Sequence, residues 1–147
     1  MANYGTVNGG DTYFNERIGG TTWSNATATE KQQALVSATE LIDSFNFFGK
    51  LKESGQELKF PRAGQTAVPT AVEQATYLIA DRYLNGETYE SKLEELNVIK
   101  RKFLSAETEY DTKRTPTYQV TGIPDPLAFK LLRPFLRDKF SFQLYRV

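Results

Sequence analysis

Cysteine and histidine are both absent from this 147-residue chain. Their absence excludes thiolate nucleophiles, Cys/His zinc sites and Ser-His-Asp triads. Any acid–base chemistry would fall to carboxylates, Lys or Tyr. No run of 18 apolar residues occurs, and the opening Met1-Ala2-Asn3-Tyr4-Gly5 has neither a basic nor an apolar signal region. The expectation is a soluble, unsecreted chain indifferent to redox compartment. Phosphate loops are missing too: Phe48-Gly49-Lys50 lacks both the upstream Gly and the following Ser/Thr of a Walker A motif, and there is no GxGxxG. Glu90, Glu94 and Glu95 read as a solvated helix face rather than a metal site or carboxylate dyad. Nothing in the chain points to catalytic, metal or cofactor-binding residues, so the expected class is not an enzyme.

What is present suits one globular domain. A chain of this length can bury roughly 68–70% of its unfolded surface without a disulfide or metal. Ten Phe and eight Tyr argue against disorder of the whole chain. The net charge of zero hides a division: residues 1–97 carry 8 Lys/Arg against 13 Asp/Glu, and residues 98–147 carry 10 against 5. An acidic body followed by a basic final third suggests two surfaces with different partners, although two merely solvated faces are the simpler reading of charge alone.

The apolar spacing predicts helices. Thr6 can cap a first short helix whose buried face is Val7, Phe14 and Ile18, ended by Gly19-Gly20; Gly9-Gly10 inside it oppose helix formation. Trp23 follows in the connection as a core plug. A second helix, capped by Thr27 or Thr29, runs from about 28 to 45 with the stripe Leu35, Ala38, Leu41, Ile42 and Phe45. Residues 55–64 form a loop or short extended piece, because Pro61 and flanking glycines forbid a helix there. A third helix opens at Pro69-Thr70, has Val72, Ala75, Thr76, Ile79 and Tyr83 along one face, and stops at Asn85-Gly86. A fourth begins near Thr88, using Leu93, Leu96 and Ile99. Residues 98–104 read equally well as its continuation or as the start of a strand.

Residues 105–122 are Thr-rich and broken by Pro116, with 115–121 alternating enough for an extended arm or edge strand. Asp125-Pro126 starts a last helix with the stripe Leu127, Leu131, Leu132, Phe135 and Leu136, kinked at Pro134. Residues 139–147 alternate apolar and polar at period two, a strand pattern without a partner in sequence. The fold class expected is mainly α: a four- to five-helix bundle body with a long extended C-terminal arm, and room for a short β element between 98 and 122. The organisation expected is a helical body over 1–97, an extended section and C-terminal helix over 98–138, and a tail over 139–147. The tail either folds back on its own domain or adds to a partner by strand pairing or groove insertion.

Basic groups with interleaved aromatics are what single-stranded nucleic acid requires. Lys100, Arg101 and Lys102 before Phe103, and Arg133, Arg137, Lys139, Phe140, Phe142, Tyr145 and Arg146, have that composition. Aromatics with Arg also make protein–protein anchors, and a pI near 6.3 is far from a basic footprint.

As a set, YGTVNGGDTYFNERIGGTTW, KQQALVSATELIDSFNFFGK, GQELKFPRAG and GIPDPLAFKLLRPFLRD resemble a family of tailed-phage head–tail adaptors, whose relatives often carry the label of DnaT-like single-stranded-DNA-binding protein. The resemblance runs from about Tyr4 to Asp138 and is most specific at 56–62; Gly9-Gly10 depart from it. It implies a structural protein of the virion head–tail interface, assembled in the host cytoplasm. Such a protein forms a ring with copies of itself, commonly a dodecamer, below the portal protein. It also implies a C-terminal segment that docks on the portal, with Phe140, Phe142, Leu144 and Tyr145 as anchors and Arg146 at the rim. The body would be a platform for a downstream tail or nozzle protein, with genomic DNA passing through the lumen unbound and no membrane or cofactor involved. The alternative is a replication accessory protein that binds single-stranded DNA through Lys100, Arg101, Lys102 and the basic C-terminal helix bearing Arg133 and Arg137.

Overall fold

The computed structural model of the chain describes residues 2–88, 91, 94 and 122–137. Among them the architecture is mainly α: α1 (Val7–Asn15), α2 (Thr21–Asn25), α3 (Ala28–Asp43), α4 (Thr70–Leu84) and α5 (Pro126–Leu132), the last running into one 3-10 turn, Arg133–Phe135. Strand-like pairing among the described residues is limited to two isolated antiparallel bridges, Phe47 with Leu136 and Leu51 with Arg62.

Local chemistry sets the helix ends. The Thr27 hydroxyl accepts from the Glu30 N–H while the Glu30 carboxylate accepts from the Thr27 N–H at 2.8 Å, a reciprocal cap on α3. Asp125 accepts from the N–H groups of Leu127 and Ala128, and Pro126 opens α5 without wasting a donor. Pro69 immediately precedes α4, and Asn85 closes it. Thr88 Oγ1 accepts from the Ser91 N–H, and Ser91 and Glu94 are helical; the rest of the fourth expected helix lies outside the described residues.

The α4 helix is the centre of the body. It packs on α3 and α5, with α1 and α2 across its flank, and buries Val72, Ala75, Thr76, Tyr77, Ile79 and Ala80. Each fully buried Val, Leu or Ile contributes on the order of 1.5–3 kcal/mol. From α3 come Leu35, Ala38 and Ile42, and from the far end of the chain Ile123, Ala128 and Leu132, all fully buried. Tyr4 locks the N-terminal segment into the same core. Its N–H donates to Thr39 Oγ1, its hydroxyl donates to Asp43 Oδ1, and the Phe60 N–H donates to that hydroxyl. Burial, and then the bond to Asp43, pushes the Tyr4 hydroxyl far above the ordinary phenol range.

Gly9 and Gly10 have a packing explanation. A Cβ at Gly9 would collide with the Tyr77 hydroxyl, and one at Gly10 with the Trp23 ring. These residues let α1 lie flat on two aromatics, which outweighs their poor helix propensity.

Three expectations are corrected. Ile18 is fully exposed rather than buried. The α1 helix ends at Asn15, the Arg17 N–H turns back to the Phe14 carbonyl, and Tyr13 takes the place on the buried face. Trp23 lies in a helix of its own, α2, entered through Gly20 at a positive φ of 71°. Leu127 is half-exposed, because a seven-residue helix buries one i, i+4 pair, here Ala128 and Leu132. The β element between 98 and 122, the extended arm and the tail over 139–147 lie outside the described residues.

Candidate nucleic-acid interface

One part of the molecule has little helix to satisfy its backbone. Residues 46–64 leave α3, loop outward and return, and they are held by side chains reaching carbonyls. The Arg62 guanidinium is the main brace: Nε donates to the Phe48 carbonyl at 3.0 Å, Nη1 to Lys59 at 3.2 Å, and Nη2 to Phe47 at 3.2 Å and to Gly49. Gln56 Nε2 donates to the carbonyls of Leu58 and Pro61, while its Oε1 accepts from the Glu53 N–H. Lys52 Nζ reaches the Thr66 carbonyl and Lys59 Nζ that of Phe45. The Phe60–Pro61 peptide is cis.

The 3-10 turn after α5 completes this lobe. The Phe48 N–H donates to the Phe135 carbonyl at 2.9 Å, and the Arg137 N–H to the Asn46 carbonyl at 3.0 Å. Phe60 lies edge-on between Phe47 and Phe135, with ring centroids 4.6 and 5.6 Å away. These three rings anchor the lobe to the body and leave its outer side polar and basic.

Residues 46–64 and 133–137 hold six Lys/Arg against two Asp/Glu, whereas residues 2–45 and 65–88 hold three against eight. Lys52, Lys59 and Arg62 are committed to carbonyls. Lys50, Arg133 and Arg137 are exposed and carry no side-chain hydrogen bond or ion pair among the described residues. Phe48, 52% exposed, and Leu51, 40% exposed, flank Lys50. Exposed cationic groups on a braced lobe can hold phosphates.

Of the residues singled out from sequence, Arg133 and Arg137 lie exposed in the segment that the Phe48–Phe135 and Asn46–Arg137 backbone bonds join to the loop. Lys100, Arg101, Lys102, Phe140, Phe142, Leu144, Tyr145 and Arg146 lie outside the described residues. Phe48 and Lys50 were visible in sequence only as a failed phosphate loop. The available signal was Phe47-Phe48 itself, since two adjacent aromatics cannot both enter one core from an extended segment.

A family described as "Putative DnaT-like ssDNA binding protein" matches residues 2–147. The chain belongs to this DnaT-like family. No curated protein and no solved structure matches it.

The ionic contacts among the described residues of the DnaT-like chain are structural. Arg82 joins Asp125, the cap of α5, to Glu87; burial opposes its charge, but the two carboxylates outweigh burial and raise its pKa. Asp11 accepts from Lys31 Nζ at 2.7 Å and from Trp23 Nε1 at 2.8 Å, and the Lys31 bond holds its carboxyl below the usual range. Among the described residues no cluster of carboxylates could hold a metal ion, and no helix is long and apolar enough to cross a membrane.

Proposed function

We propose that the chain is a non-enzymatic protein that binds single-stranded DNA on the lobe formed by residues 46–64 and 133–137. The observation that carries this reading is the segregation of charge: Lys50, Arg133 and Arg137 are exposed on a lobe joined by the Phe48–Phe135 and Asn46–Arg137 backbone bonds, beside a helical body of opposite balance. The family description, which names single-stranded DNA, supports it. Phosphates pair with the three cations, without sequence readout. Lys100, Arg101 and Lys102 would extend the same backbone contact. The test is anisotropy of a labelled oligo-dT across a salt series. Affinity should fall with a log–log slope of about −0.7 per phosphate contact. The double variant Lys50→Glu/Arg137→Glu should lose roughly tenfold or more in affinity at low salt with an unchanged melting curve. Absent binding at low salt, or binding indifferent to these substitutions, would sink the reading.

A second reading is the ring-forming head–tail adaptor of a phage virion, docked on a portal through Phe140, Phe142, Leu144, Tyr145 and Arg146. It is favoured by the acidic balance of the helical body, three Lys/Arg against eight Asp/Glu, a surface that DNA can pass without adhering. Native mass measured with and without the cognate portal discriminates the two. A stoichiometric complex lost on deletion of residues 139–147, from a protein indifferent to oligo-dT, would replace the first reading with the second.

A further inference from the structure

An open groove of about 780 Å³ runs along α3 to the end of α4. Its α3 wall is the stripe from Glu30 through Ala34, Ser37 and Leu41 to Phe45, a different face from the Leu35, Ala38 and Ile42 that enter the core. Leu41, Phe45 and Leu84, all partly buried, give it an apolar floor. Glu30 and Glu40, both exposed, give it an acidic rim, and no Lys or Arg lines it among the described residues.

We propose that residues 138–147 of the same chain occupy this groove as an extended strap running from Phe45 toward Glu30. Position argues for it first. The Arg137 N–H is bonded to the carbonyl of Asn46, the residue after Phe45, so the chain reaches Arg137 at one end of the groove. Length agrees. The α3 wall from Glu30 to Phe45 spans about 22 Å at 1.5 Å per residue, and ten extended residues reach about 33 Å. Chemistry agrees as well. In an extended segment Phe140, Phe142 and Leu144 fall on one side, matching the apolar floor, and Lys139 and Arg146 bring positive charge to an acidic rim. The inference is independent of DNA binding, because the groove and the basic lobe share no side chain named for that role.

The absence of native cysteine makes the test clean. In the full-length chain, Gln33→Cys on the exposed groove wall is paired with Gln143→Cys in the tail, and disulfide formation is followed by mass under mild oxidation. The control pair is Thr12→Cys with Gln143→Cys, because α1 contributes nothing to the groove. Circular dichroism establishes that each variant is folded. The expected result is a disulfide within one molecule, forming at a rate independent of protein concentration and roughly tenfold or more faster than the control, as a tethered and docked pair requires. Adding Leu41→Asp should bring that rate down toward the control. Disulfides that join two molecules would show the tail docking on a second copy and overturn the proposal. A rate equal to the control, or one unmoved by Leu41→Asp, would also overturn it.

Discussion

The helical body and the basic lobe solve the same problem by opposite means. In the body, α3 and α4 satisfy their backbone internally, and stability comes from buried Trp23, Leu35, Ile42, Val72 and Ile79. In the lobe there is no helical ladder, so Arg62, Gln56, Lys52 and Lys59 carry their donors to carbonyls. An unpaired buried carbonyl is costly, and a long cationic side chain is one of the few groups able to reach it from the loop itself. The difference teaches how to read the lobe's charge. Half of its six cations brace the loop, and Lys50, Arg133 and Arg137 make no such contact among the described residues.

The comparison can be broken most severely at Trp23, which is fully buried and packed between Phe14 and Tyr77. Trp23→Ala should cost about 3–5 kcal/mol of global stability in denaturant unfolding, as for other large-to-small changes in cores. A cost under about 1 kcal/mol would mean the aromatic cluster is not what holds the body. Next comes Arg62→Met, which keeps the stem but removes the guanidinium and its four carbonyl contacts. The expected loss is about 2–3 kcal/mol, the range for bonds to charged groups. Limited proteolysis should locate that loss in residues 46–64 while helical dichroism is retained. If dichroism and protease resistance fall together, the lobe and body are one cooperative unit and the contrast between them fails.

Gly10→Ala sharpens the comparison within the body. Helix propensity alone predicts a gain of up to about 1 kcal/mol. Collision with the Trp23 ring predicts a loss of about 1–2 kcal/mol by overpacking. A melting temperature that falls decides for packing, and one that rises decides for propensity. The smallest effect concerns Tyr4, where body and lobe meet. Its pKa is raised in the folded chain, so the neutral hydroxyl stabilises the fold below the ordinary phenol value near 10. That contribution is lost as pH rises beyond it. Half a unit above that value the loss should be less than about 1 kcal/mol. In urea titrations at pH 8 and pH 10.5, Tyr4→Phe should therefore show a flatter alkaline decline than the parent chain.

Much of the body was legible beforehand, because its signals are local. Thr27 and Glu30 three residues apart, Pro69 ahead of an apolar stripe, and Asp125-Pro126 each fix a helix start within one turn. Ile18 and Leu127 misled the periodicity, since where a short helix stops depends on what it packs against rather than on its own pattern. Of the candidate site, Arg133 and Arg137 could be named but not placed. Phe48 could not be chosen, because nothing near it in sequence reveals that it stands beside Phe135, more than eighty positions away.

The sequence by itself determined the class: without cysteine or histidine, with capped amphipathic helices and a charge balance that reverses along the chain, it specifies a helical domain without thiol or imidazole chemistry. Only the tertiary structure decided which charges share a surface. Periodicity and capping act over three or four residues, whereas the pairing of Phe48 with Phe135 and of Asn46 with Arg137 comes from packing three aromatic rings across the whole length of the chain.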